Sequence, residues 1–161
     1  MINVEQTDKS IREMLEANEV DEIVQSCNCF HDMSDPVSTI LNELTNNKVS
    51  QLDRNSSPYG EINKLGDWVG GTYLIAGRDV DIYSLYTRFT TPARVCDTIH
   101  WSSAHDGLYD ILEQSESGSV VAVQNAGYTE KYQAEFIALL NGLAKTYDND
   151  LPDVDIVVFN H

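Results

Sequence analysis

The chain has 161 residues, 42% hydrophobic and 9% aromatic, a composition that excludes a disordered polypeptide and suffices for a packed core without disulfides or metal. Its 26 acidic against 10 basic residues give a formal net charge of −16, a field that repels phosphate backbones and anionic lipid. No run is long and apolar enough for a membrane span and no basic-plus-apolar leader opens the chain, so the sequence reads as one cytoplasmic domain over 1–161 with its three cysteines reduced.

Ser10-x-x-Glu13 reads as a capping box, followed by Ile11, Met14 and Leu15 on one helical face. Val20, Ile23 and Val24 prolong the apolar pattern after a slip near Asn18, which predicts a helical amino-terminal region, as two short helices or one kinked helix. Asp35 before Pro36 is an N-cap followed by proline at the first helical position, with Val37, Ile40, Leu41 and Leu44 inward. From Lys48 to about Asp67 the chain is polar, and Asn55-Ser56-Ser57-Pro58-Tyr59-Gly60 is a turn signal, so a long loop is predicted there.

The period then changes. Gly70-Gly71 opens Thr72 to Ala76, Gly77-Arg78-Asp79 turns, and Val80 to Phe89 returns, which predicts a hairpin. Along the second strand Tyr83, Leu85, Thr87 and Phe89 form the expected core face, with Ile82, Ser84, Tyr86 and Arg88 opposite. Thr91-Pro92 predicts a helix start with Val95 and Ile99 inward, a polar break at Ser102-Ser103, and a second helical segment carrying Leu108, Ile111 and Leu112. Ser119 to Val123 reads as a buried strand, Thr129-Glu130 opens the strongest helix, and Asp155 to Phe159 is a last strand. These three form a βαβ unit with parallel strands. The expected fold class is α+β: a mixed sheet of about four strands, hairpin plus C-terminal βαβ unit, covered by helices.

Chemical motifs are sparse. Cys27, Cys29 and His31 alternate at i, i+2 and i+4, and Cys96 and His100 stand at i, i+4. Zinc takes such ligands, but the Cys-x-Cys spacing departs from the usual Cys-x₂₋₄-Cys pairs. The five are therefore weak metal candidates, and ordinary buried cysteines are the preferred reading. No metal, cofactor or catalytic residue is assigned. Ser102, Ser103, His105 and Asp106 are the residue types of a hydrolase triad without the strand–turn–helix elbow that presents a nucleophile. Gly70-Gly71 lacks the lysine and hydroxyl of a phosphate loop and fits a close backbone approach instead. Residues 125–129, Gln133-Ala134-Glu135 and the strand over 154–159 are similar to one βαβ stretch of ribonuclease H-like proteins. That strand ends in Val158-Phe159-Asn160-His161, without the carboxylate such an active site requires.

Function is therefore argued from charge. Residues 1–94 carry a net −7, whereas residues 95–161 hold 11 acids and only Lys131 and Lys145. The sequence reading is a non-enzymatic acidic binding protein or inhibitor that blocks a basic, nucleic-acid-binding site on a protein partner, its carboxylates standing in for phosphates. Its expected contacts are Asp106, Asp110, Glu113, Glu116, Asp148, Asp150 and Asp153. The alternatives are an assembly subunit such as a viral particle component, or a small enzyme built around Cys27, His31, Cys96 and His100.

Overall fold

A computed structural model of the chain describes residues 1–90 and 99–161. Their elements, in order, are β1 (Asn3–Gln6), α1 (Ile11–Glu16), β2 (Glu22–Asn28), α2 (Pro36–Leu44), α3 (Lys48–Ser56), β3 (Trp68–Ile75), β4 (Arg78–Arg88), α4 (Trp101–Gln114), β5 (Val120–Gln124), α5 (Glu130–Thr146) and β6 (Asp155–Phe159), with a short 3₁₀ turn at Ile62–Lys64. The strands form one mixed six-stranded sheet in the order β1-β6-β5-β2-β4-β3, all parallel except β3. Among the described residues no helix is long and apolar enough to cross a membrane.

The mixed sheet, the β3–β4 hairpin and the parallel β5–α5–β6 unit follow the sequence pattern. The strand count does not, because two strands lie in the region expected to be helical. β1 is a short polar edge strand beside β6 whose alternation is carried by Val4 alone. β2 is an interior strand, and almost every residue in it is buried. A strand covered on both faces shows no polar–apolar alternation, and Val20, Ile23 and Val24 then mimic a helical stripe.

Successive residues of the strands feed two layers. Val24, Val121, Val123, Ile156 and Val158 pack with α4 and α5, whereas Ile23, Ile82, Ala122 and Phe159 pack with α1, α2 and α3. Each such aliphatic side chain contributes about 1.5–3 kcal/mol when fully buried, which outweighs weak local helix preference. On β4 both faces are covered: Ile82, Ser84, Tyr86 and Arg88 are buried, and Tyr83, assigned to the core face, is only half-buried.

Two further expectations change. The segment from Lys48 to Asp67 contains α3 and the 3₁₀ turn, anchored by buried Val49 and a polar cluster beneath them. There Tyr86 Oη donates to Asp53 and lies 3.0 Å from Ser57 Oγ. Lys64 Nζ donates to Ser57 Oγ at 2.9 Å and lies 4.2 Å from the Tyr86 ring centre. A polar helix face packs inward here because its polar atoms are paired, which hydropathy cannot show. Ser102 and Ser103 lie in the first turn of α4 rather than in a break. The expected helix start at Thr91-Pro92, with Val95, falls outside the described residues.

Candidate ligand-binding site

β2 and β5 are neighbours, yet the chain leaves β2 into α2 on one face and β5 into α5 on the other. In an open α/β sheet such divergence leaves a crevice beyond the carboxyl ends of the two strands, where ligands bind. The β2–β5 ladder runs from Glu22↔Val121 to Val24↔Val123, and beyond it Gln124 Oε1 accepts from Ser26 N at 2.9 Å.

Three strand ends converge at this point. From β4, Arg88 Nη1 donates to Ser26 Oγ at 3.2 Å, and the Ser26 and Thr87 hydroxyls bond to each other. The Arg88 guanidinium stacks 3.8 Å from the ring centre of Tyr128, which comes from the turn after β5. Arg88 is only 4% exposed while Tyr128 is 54% exposed, so an aromatic surface faces solvent above a buried cation. Trp101 at the start of α4 and Tyr132 in the first turn of α5 lie 6.2 Å apart on the neighbouring side.

The turns around the crevice are held by side-chain oxygens. Asn28 Oδ1 accepts from Phe30 N at 2.9 Å, and Asn28 Nδ2 donates to Asp32 O at 2.7 Å. Asp32 Oδ1 accepts from Ser34 N at 3.0 Å and Asp35 Oδ2 caps α2 at Ser38 N, 3.1 Å away. After β5, Asn125 Oδ1 accepts from Gly127 N at 2.9 Å and Thr129 Oγ1 caps α5 at Tyr132 N. A Cβ on Gly127 would lie 2.4 Å from Gln133 N, so this turn can press onto the start of α5 only with glycine. Several backbone amides of these turns thus already have acceptors, and Arg88 brings positive charge to the strand ends.

The metal candidates among the described residues do not assemble. Cys27 and Cys29 are buried beside Tyr86, and Cys29 Sγ donates to Arg88 O. Burial raises the Cys27 thiol well above its usual range and pushes Cys29 up to about 11, which disfavours the thiolate that zinc requires. His31 Nε2 faces Ser57 O at 3.0 Å, and His100 Nδ1 faces Ser103 Oγ at 2.8 Å. Cys96 falls outside the described residues, and among those described no group of three or more His, Cys, Asp or Glu could hold a metal.

The seven acids expected to meet a partner are all exposed. Glu113 and Asp150 flank Tyr109 and raise its pKa after the effect of desolvation. Asp110 instead borders a cavity with Lys64 and Trp68, and Glu116 lies at the amino ends of the strands. Asp148 and Asp153 pair with the Met1 amine.

The fold is that of macrodomains. The macrodomain of Thermus aquaticus DarG matches with a TM-score of 0.65 at 13% identity over 100% of both chains. Thermosipho africanus DarTG, solved in complex with ADP-ribose, matches with a TM-score of 0.65 at 12% identity over 97% of this chain and 41% of its own. An Oceanobacillus iheyensis macrodomain with MES bound matches with a TM-score of 0.57 at 15% identity, covering 86% of this chain and 76% of its own. No protein-family model matches the sequence, and no curated protein does.

This likeness overturns the expectation of an acidic inhibitor acting as a nucleic-acid mimic and of a basic protein as its partner. It equally displaces the viral-particle alternative. Acidity is a surface property compatible with many folds, so net charge does not specify a partner. Sequence reading also passed over Asn28, Arg88, Gln124, Asn125 and Tyr128. Once Glu22–Asn28 is placed as a strand, its end and the Gln124-Asn125-Ala126-Gly127 turn are the two strand ends a switch point needs, so the missing signal was β2 itself.

Proposed function

We propose that this chain binds ADP-ribose in the crevice between the carboxyl ends of β2 and β5. The observation that carries the reading is the meeting of Arg88 and Tyr128 at the switch point of a fold that, over 97% of the chain, resembles a structure solved in complex with ADP-ribose. Arg88 is the group suited to a diphosphate, since guanidinium pairs with phosphate oxygens in a fixed fork. The Tyr128 ring offers a flat face to a base or sugar. Asn28 and Asn125 carry amides at the rim that can bond ribose hydroxyls once they exchange their present turn contacts.

Calorimetric titration with ADP-ribose tests this. Saturable binding is expected, with Arg88→Gln weakening it by at least ~10-fold, or about 1.4 kcal/mol. Asp148→Asn, beside the Met1 amine, should leave affinity unchanged. No saturable heat up to ~1 mM ligand, equivalent to weaker than about −4.1 kcal/mol, removes the proposal.

A further inference from the structure

At the opposite end of the sheet, the amino ends of β2 and β4 border a groove formed by two adjoining depressions of about 280 and 290 Å³ that share Asp81 and Gln114. One part is walled by Trp68 and Tyr83, whose rings meet edge-on at 5.3 Å. Gly70 makes that wall possible, because a Cβ there would lie 2.8 Å from the Tyr83 ring. The other part is lined by carboxylates.

These carboxylates differ in what they already hold. Asp21 is engaged twice, by Arg78 and by Val120 N at 2.8 Å, and Arg78 also donates to Asn18 O. Asp81 accepts from the Thr72 hydroxyl. Glu22 is 4% exposed. Its Oε1 accepts from Ser115 Oγ at 3.1 Å, while its Oε2 is buried and meets no donor at hydrogen-bonding geometry among the described residues. The Tyr83 hydroxyl helps the charged form, but burial outweighs it and Asp81 adds repulsion, so the Glu22 carboxyl titrates above its ordinary range. A buried, half-satisfied carboxylate beside further acids is a standing cost that an incoming cation would offset.

We propose that this groove is a second ligand site, for a linear aliphatic polyamine, with Glu22 Oε2 receiving one ammonium group. A single metal ion fits poorly, because among the described residues no three such ligands converge on one point. Asp79, Glu22, Asp81 and Glu116 instead share the lining of one depression, which offers several carboxylates to a ligand carrying more than one ammonium group. The Trp68 and Tyr83 rings accept methylene groups and the adjacent cation on their faces. The site lies at the other end of β2 from the ADP-ribose crevice and stands or falls independently of it.

Calorimetry with spermidine on the full chain, with putrescine and magnesium chloride at matched ionic strength, tests the assignment. We expect saturable spermidine binding, weaker putrescine binding and no comparable response to magnesium. Glu22→Gln, folded by circular dichroism, should weaken spermidine by at least ~10-fold, whereas Asp148→Asn with Asp150→Asn should change it less than ~2-fold. Absence of saturable heat, equal loss in the remote double variant, or an equal response to magnesium would each mean diffuse charge attraction and overturn the site.

Discussion

Glu22 and Arg88 sit at opposite ends of the central strands, and both are charged groups that the fold has taken out of water. Their settings differ. Arg88 bonds Ser26 and carries Tyr128 on its face, an arrangement that holds a cation at the carboxyl ends of the strands. Glu22 is destabilised in its charged form, mainly by burial, with Asp81 and Asp21 adding repulsion. An acid whose folded pKa is raised contributes stability that is full below its unfolded pKa and is lost as pH rises through the folded value. Glu22→Gln should therefore raise the melting temperature at pH 7.5 and leave the difference near zero at pH 4. A constant difference across that range would show that the carboxyl's charge is not what the fold resists.

At the level of elements, α4 packs tightly on β4. Gly107 faces it: an added Cβ would lie 2.2 Å from Leu85 Cδ1 and 2.8 Å from Gly66 O. Gly107→Ala should cost about 1–3 kcal/mol by overpacking, read as a lower urea midpoint with the slope unchanged. Gly142, in the middle of α5 with open space around it, gives the opposite sign. Gly142→Ala should gain up to ~1 kcal/mol from helix propensity. Equal effects at the two sites would refute the packing geometry. The same scale explains what the sequence disclosed. Asp35-Pro36, Thr129-Glu130 and Ser10-x-x-Glu13 marked helix starts correctly, because caps are local chemistry. The hairpin was visible from its turn and its β-branched residues. β1 and β2 were not, since one is polar and held by β6 and the other is buried on both faces, and both conditions erase alternation. The crevice was hidden with them, because a switch point exists only once strand order is known.

For the molecule as a whole, the charge of −16 now reads as a background field on a macrodomain-like fold rather than as a docking device. That field opposes an anionic ligand at long range, while Arg88, being buried, acts at short range and is screened little. Affinity for ADP-ribose should therefore rise modestly as salt increases from ~10 to ~150 mM, over which the screening length falls from about 30 to about 8 Å. A steep fall with salt would indicate attraction by exposed cations elsewhere. The most direct test of the central claim is a backbone amide NMR titration of the isotopically labelled chain with ADP-ribose. Saturating shift changes should map to residues 26–35, 87–88 and 124–132, around the ends of β2, β4 and β5. Shifts confined to the amino ends of the strands, or none at ligand concentrations near ~1 mM, would contradict it.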